Sequence, residues 1–414
     1  MPIKQPDDSE TDANGSESEE ATGRDPLGNP LPAVPKPKPA ETIEENAKDK
    51  VKPIEALKSD VGVDYTVVDL LQTTVEKKAS DLHLTAGAPP YLRIDGELQP
   101  MALPKLTPPE LKGLVYTMMS MKQIKDYELE KEFDFAYSVK SLGRFRVNVY
   151  KQRGSVGCVI RAVPTMKLNI EQLGLPAKTK ELISLPRGII FVTGPTGSGK
   201  TTSLASMIDY INDHRRAHVM TVEDPIEYLH RHKLCLVNQR ELGQDTDSFA
   251  KALRHVLRQD PDVILVGELR DLESMQAAIT AAETGHLVLT TLHTNDAGQT
   301  IDRIIDVFPA SQQNQIKLML ANSLQAIFCQ TLCKRIGGGR VMAYELLIAT
   351  NAVRNLIRKG EIHQIKTTIE TSQRVGMRTM NQSLIELVRK NVINVEEARE
   401  HTSDPASLEK ELRS

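Results

Sequence analysis

Apolar and polar positions change their pattern three times along the chain. In the run Tyr65-Thr-Val-Val-Asp-Leu-Leu-Gln-Thr-Thr-Val, the residues Val67, Leu70, Leu71 and Val75 fall at helical spacing, which predicts an amphipathic helix. Short alternating runs follow at 81–85 and 91–98, the second with Asp95-Gly96 as a hairpin turn. Residues 111–127 read as one further helix, and 133–139, 144–150 and 157–163 alternate as strands. Residues 61–165 are therefore expected to form an α+β domain with a mostly antiparallel sheet, closed by a linker that starts at Pro164.

From about residue 170 the pattern is different. Continuous apolar runs at 189–193, 219–222, 263–266 and 287–291 alternate with amphipathic helical stretches. Strands that are apolar on both faces belong in a parallel sheet covered by helices, so 170–350 is expected to be an α/β domain. Residues 351–414 read as helical, with breaks at Gly360 and Gly376. Residues 1–60 form a third regime: acids from Asp7 to Glu20 among Ser, Thr and Gly, then recurrent prolines from Pro26 to Pro39, and no aromatic before Tyr65. Such a segment buries too little to offset chain entropy, and a disordered acidic, Pro-rich tail is expected.

Composition narrows the function classes. A 40% hydrophobic content in 414 residues supports two or three real cores. The net charge of −3, with no basic stripe, argues against a nucleic-acid partner. Cys158, Cys235, Cys329 and Cys333 fit a reducing cytoplasm. Cys329-x-x-x-Cys333 has neither a second pair nor a nearby His cluster to complete a metal site. No apolar run reaches the roughly 18 residues of a membrane span, and the start of the chain is polar, so membrane attachment is expected only through a partner.

Candidate chemistry begins at Gly194-Pro195-Thr196-Gly197-Ser198-Gly199-Lys200-Thr201. This G-x-x-x-x-G-K-[ST] spacing follows the run Gly188 to Thr193 and precedes a helical stretch opening at Thr202. Strand, glycine loop and helix are the context of a phosphate-binding loop, in which backbone N–H groups and the helix N-terminus face phosphate oxygens. Lys200 is expected at the β- and γ-phosphates of ATP, and Thr201 on Mg²⁺.

Three further constellations support a nucleotide site. The run Val263-Ile264-Leu265-Val266-Gly267-Glu268 delivers an acid to a strand's C-terminal edge, where open α/β sheets bind ligands, so Glu268 is expected to hold Mg²⁺ through a water or to orient the attacking water. Glu223-Asp224-Pro225-Ile226-Glu227 puts three acids just past another strand, one of them a candidate base for that water. His286 and His293 flank an apolar run, and strand ends roughly 15–20 Å apart cannot share one ion, so His293 reads instead as a γ-phosphate sensor. Arg144, Arg146, Arg153 and Arg161 concentrate basic charge on the last strands of the first domain, suited either to closing a nucleotide site in cis or from a neighbouring subunit or to surface ion pairs with this acidic chain.

In this order and spacing, from about Val67 to Ala398, these elements resemble the secretion ATPase superfamily of type II and type IV machines, and within it the type IV pilus retraction ATPases. The likeness includes Ala79-Ser80-Asp81-Leu82-His83-Leu84, Arg93-Ile94-Asp95-Gly96, the Walker A loop, an Asp box (Glu223 to Glu227), a Walker B strand (Val263 to Glu268) and a His box (Thr284 to His293). It also includes Ala352-Val353-Arg354-Asn355-Leu356-Ile357-Arg358-Lys359, a helix associated with retraction, in which Lys359 replaces the usual acid. The four-cysteine zinc element of the extension and type II secretion ATPases is absent from the sequence.

The resemblance implies a RecA-like P-loop NTPase domain behind a PAS-like N-terminal domain. It makes Glu227 the favoured base, with Glu268 the Walker B acid and His293 the His-box residue. Arg146 and Arg161 become candidate nucleotide ligands beside Lys200, Thr201 and Thr202. It further implies a homohexamer that hydrolyses ATP at the inner face of the cytoplasmic membrane, docked on an inner-membrane pilus platform protein, to retract pili for twitching motility. An accessory retraction motor, or one serving secretion or competence, has the same motifs.

Overall fold

The computed structural model describes residues 63–413 apart from 95, 141 and 164–168. The expected tail at 1–60, Asp95 of the hairpin turn and the linker start at Pro164 lie outside the described residues.

The first part of the chain builds an antiparallel sheet. Helix α1 (Val67–Glu76) starts at a reciprocal cap between Thr66 and Asp69. It packs through Val67, Leu70, Leu71 and Thr74, whereas Val75, expected on the buried face, is exposed. Helix phase puts Thr74, seven residues after Val67, on the buried face, and its hydroxyl is satisfied there by donating to the Leu70 carbonyl at 2.8 Å.

Strands β1 (Asp81–Thr85), β2 (Tyr91–Ile94) and β3 (Glu97–Pro100) follow. The single helix expected at 111–127 is instead two, α2 (Pro108–Tyr116) and α3 (Met121–Glu130). The chain breaks because the Ser120 side chain accepts from the Gln123 N–H while Gln123 returns a bond to the Ser120 N–H, which starts a new helix there. Strands β4 (Glu132–Val139), β5 (Gly143–Gln152) and β6 (Ser155–Val163) complete a six-stranded sheet of order β3-β2-β1-β6-β5-β4, antiparallel throughout. Its helix-covered face buries Leu82, Leu84, Phe145, Val147, Val149 and Ile160. The other face carries a polar row in which Arg93, Asp81, Arg161 and Arg146 stand side by side on adjacent strands.

The second sheet follows α4 (Lys178–Ile183). Its strands are β7 (Gly188–Thr193), β8 (His218–Glu223), β9 (Leu236–Glu241), β10 (Val263–Val266), β11 (Leu287–Leu292), β12 (Leu324–Lys334) and β13 (Arg340–Ile348), in the order β13-β12-β7-β11-β10-β8-β9. All neighbours run parallel except the β12–β13 hairpin at one edge. Helices α5 (Lys200–His214), α6 (Phe249–Val256), α7 (Leu272–Glu283), α8 (Ala297–Asp306) and α9 (Ala310–Ser323) connect them.

Every residue of β7, β10 and β11 is buried, as expected of strands covered on both faces. Ile189, Phe191, Ile264 and Val288 belong to one apolar cluster, and Ile190, Val192, Val263 and Leu289 to another. Each fully buried Val, Ile or Phe side chain contributes about 1.5–3 kcal/mol, which makes this the stiff platform for the loops at its C-terminal edge.

The remaining helices are α10 (Asn351–Lys359), α11 (Ile365–Thr371), α12 (Met380–Arg389), α13 (Val395–His401) and α14 (Pro405–Arg413). Gly360 ends α10 at φ 74°, a left-handed geometry that favours glycine.

Candidate active site

Strand β7 ends at Thr193, and the chain turns through Gly194 to Gly199 before α5 starts at Lys200. Gly194 is at φ +140°, and a Cβ on it would stand 2.2 Å from the Gln330 carbonyl oxygen on β12. Gln330 also braces the loop directly, its side-chain amide donating to the Ser198 carbonyl at 2.7 Å. The Lys200 ammonium folds back over this loop and donates to the carbonyls of Gly194 at 2.8 Å and Pro195 at 3.0 Å. Burial lowers its pKa, and the charge of Glu268 works against that shift.

In front of the loop opens a cavity of about 450 Å³, within the range that holds a nucleotide-sized ligand. Thr196, Gly197, Gly199, Lys200, Thr201 and Thr202 line it on the loop side. Gly194, Pro195 and Ser198 do not line it and shape the loop from behind.

The opposite wall comes from the ends of β8, β10 and β11, which lie side by side in the sheet. Glu268, two residues beyond β10, accepts from Arg270 at 2.7 Å and lies 3.2 Å from His293 Nε2. Burial opposes the charge of Glu268, but Arg270 and His293 outweigh it and hold the carboxyl below the usual range, so it is ionised at neutral pH. Strand β8 ends in Glu223, a buried carboxyl that accepts from the Thr221 hydroxyl at 2.6 Å and the Gln239 amide at 3.0 Å. Desolvation raises its pKa. Past the cis Asp224–Pro225 bond, Glu227 is half-exposed at the cavity wall.

The cavity thus gathers Lys200, Thr201, Thr202, Glu227, Glu268 and His293 from four segments of the chain. It also brings in residues that no sequence period signals. The Tyr228 hydroxyl shares a 2.9 Å hydrogen bond with Thr202. Arg270 clamps Glu268, and Arg340 of β13 rims the pocket with Leu332. The side chain of His230, also lining the cavity, is buried, and desolvation pushes its pKa down to about 4, so it is neutral at pH 7. The one readable signal among these was Arg270, a cation two residues beyond an acid at a strand edge. His286 does not line the cavity; its Nδ1 lies 3.0 Å from the Ala281 carbonyl at the end of α7.

The arginines of the antiparallel sheet divide. Arg144 and Arg146, on one face of β5, both reach across to acids of the second sheet's part, Glu241 at the end of β9 and Glu227 in the turn after β8. Arg144 pairs with Glu241 at 3.0 Å, and Glu241 also accepts from the Ile226 N–H at 3.1 Å, which holds the acidic turn in place. Arg146 Nη1 lies 3.5 Å from Glu227. Arg161 stands opposite Arg146, but its guanidinium is taken by the buried Asp81 carboxylate at 2.7 Å, and neither Arg146 nor Arg161 lines the cavity. Burial opposes the charge of Asp81, and the bonds from Ser80 and Arg161 outweigh it, so its pKa is lowered.

A glycine loop on a helix N-terminus, a lysine over it, and an ionised acid and a histidine on the adjoining strands define a P-loop ATPase. The chain belongs to the family described as type II/IV secretion system proteins, whose model matches residues 57–400. It is 49% identical to the type IV pilus retraction ATPase PilT of Pseudomonas aeruginosa, over 83% of this chain and 99% of that protein. It is 45% identical to a twitching motility protein of Neisseria gonorrhoeae, over 83% of this chain and 92% of that protein. A crystal structure of the pilus retraction motor PilT with bound ADP superposes with a TM-score of 0.78 at 49% identity, covering 84% of this chain and 99% of that one. Among the described residues no helix is long and apolar enough to cross a membrane.

Proposed function

We propose that this chain is a type IV pilus retraction ATPase that works as a homohexameric ring, hydrolysing ATP to power twitching motility. The observation that carries the chemistry is the convergence of Lys200, Thr201, Glu227, Glu268 and His293 on one cavity at the C-terminal edge of a parallel sheet. The client is inferred from relatives that are nearly half identical along nearly their whole length.

Within that reading, backbone N–H groups of the loop between Thr196 and Gly199 and the Lys200 ammonium receive the β- and γ-phosphates. The Thr201 hydroxyl and the ionised Glu268 fit the oxygen-donor set of Mg²⁺, Glu268 through a water, and the bound ion would neutralise phosphate charge. Glu227 accepts the proton of the attacking water, and His293, held by Glu268, reports the state of the γ-phosphate to β11. Arg146 contributes a cation to the nucleotide, as does Arg161 once it leaves Asp81. The antiparallel unit (61–165) and the ATPase unit (170–350) move as rigid bodies, and the ring docks through an inner-membrane pilus platform protein at the cytoplasmic face.

The test is a deletion strain complemented with wild type or Lys200→Ala. Lost surface motility with excess surface pili, restored by wild type alone, is expected. Normal motility and piliation in the deletion strain would assign the motor another client. In vitro, Lys200→Ala removes turnover, and Glu227→Gln binds ATP without cleaving it; an unchanged kcat in Glu227→Gln would move the base elsewhere.

A further inference from the structure

The C-terminal helices bring a second group of ligating side chains together outside the ATP cavity, next to the end of β12 whose Leu332 rims it. Cys333 near the end of β12 and Glu397 and His401 of α13 place one thiol sulfur, one carboxylate oxygen and one imidazole nitrogen within 4.8 Å of one another. Cys333 and Glu397 are buried, and His401 is partly open to solvent. We propose that Cys333, Glu397 and His401 form a zinc site that pins α13 to β12.

Local geometry supports this donor set. Glu397 and His401 are one helical turn apart and share a face of α13. Cys333 and Thr331 share a face of β12 by the period of two. The His401 Nε2 and Glu397 Oε1 atoms are 3.1 Å apart. Two ligands of a tetrahedral ion with bonds of about 2.0–2.1 Å are separated by about 3.3 Å, so this pair needs almost no rearrangement.

The outer contacts have the form that supports a metal ligand. His401 Nδ1 lies 3.0 Å from the Thr331 hydroxyl, which leaves Nε2 as the ligating nitrogen. The Lys334 N–H donates to the Glu397 carboxylate at 2.6 Å and fixes its position. A mixed sulfur, nitrogen and oxygen set selects zinc over magnesium or calcium, and the partly open His401 side leaves room for a water as fourth ligand. On binding, the thiol proton of Cys333 passes to solvent and its thiolate ligates the ion. Cys329, four residues earlier, is not part of the group. The partners of Cys333 come from a helix far along the chain, so spacing around the two cysteines could not disclose them.

The experiment measures zinc in tag-free full-length protein from zinc-replete cells, together with Cys329→Ser, Cys333→Ser and His401→Gln. About one zinc per chain is expected in wild type and Cys329→Ser, and a loss of roughly tenfold or more in the other two. Cobalt added to metal-stripped wild type should give a thiolate-to-cobalt charge-transfer band that Cys333→Ser lacks. Because the wild-type metal content and cobalt band do not depend on how well a variant folds, they decide the question. Zinc-free wild type with no cobalt band, or zinc undiminished in both variants, would overturn the site.

Discussion

The Arg146 guanidinium on β5 stands 3.5 Å from the Glu227 carboxylate across the boundary between the two sheets. Both side chains are nearly half exposed, 42% and 48%, so solvent screens the pair and its worth to stability is at most about 1 kcal/mol. Its importance lies instead in placing a cation beside the proposed base. Arg146→Ala is expected to lower kcat roughly tenfold or more while the melting temperature stays nearly constant. Steady-state hydrolysis and thermal melting on the same preparation check this. A large fall in melting temperature with unchanged turnover would make the pair a structural clamp.

Arg144 and Glu241 form the contrasting pair, with side chains only 19% and 7% exposed. Removing one partner leaves a charge stranded at a dry boundary, at a cost of roughly 3 kcal/mol. Glu241 also holds the Ile226 N–H, so Arg144→Ala should loosen the turn that carries Glu227 as well. Denaturant unfolding should show the loss, and kcat should fall with it. The double variant Arg144→Met with Glu241→Met should recover part of the stability but not the turnover, because the Ile226 N–H stays unpaired.

Gly194 and Gly197 lie in the same loop under different constraints. A Cβ on Gly194 would meet the Gln330 carbonyl oxygen at 2.2 Å and the Ser198 hydroxyl at 2.7 Å; the hydroxyl can rotate away, but the carbonyl cannot yield without moving the loop or β12. A Cβ on Gly197 meets nothing within 4 Å and pays only for its φ of +80°. Gly197→Ala should therefore cost about 1–2 kcal/mol and keep measurable nucleotide binding. Gly194→Ala should abolish it. Nucleotide titration of the two variants makes the comparison, and equal affinities would show that the loop is softer than its contacts imply.

The parts of this site that were legible share one property: each sits at the end of a strongly patterned element. Glu268 follows four buried strand residues, and His293 follows six, so their place at the sheet edge could be read from the apolar runs alone. Arg340, Tyr228 and Glu241 are single polar residues whose roles depend on partners distant in sequence, and no period marks them. The sequence does not disclose the β12–β13 hairpin, because apolar runs such as Leu324 to Phe328 fit a buried helix as well as a strand. The break between α2 and α3 was readable in principle, since Ser120 and Gln123 form a capping signature. Arg161 marks the opposite limit. Its position on β6 was clear, but only the fold shows that the buried Asp81 holds its guanidinium.

Glu345 on β13 gives the fold a pH dependence of definite sign. Its carboxyl is buried beneath the start of α8, accepts from the Ala297 N–H at 2.9 Å, and faces Asp296 and, at longer range, Lys366. Burial, reinforced by Asp296, raises its pKa from 4.5 to about 7. The folded state therefore holds this proton more tightly than the unfolded chain does. Below the unfolded value near 4.5 the group is protonated in both states and costs nothing. Between there and pH 7 stability falls as pH rises, and above pH 7 the charged form carries a penalty of about 3 kcal/mol. Glu345→Gln keeps a carbonyl oxygen for the Ala297 N–H and removes the charge. It should stabilise the protein by about 1–3 kcal/mol at pH 8 and by almost nothing at pH 4.5. Denaturant unfolding of both proteins across that range tests this. A difference that stays constant with pH would show that the carboxyl does not titrate between those limits, and that packing rather than charge sets the effect of the substitution.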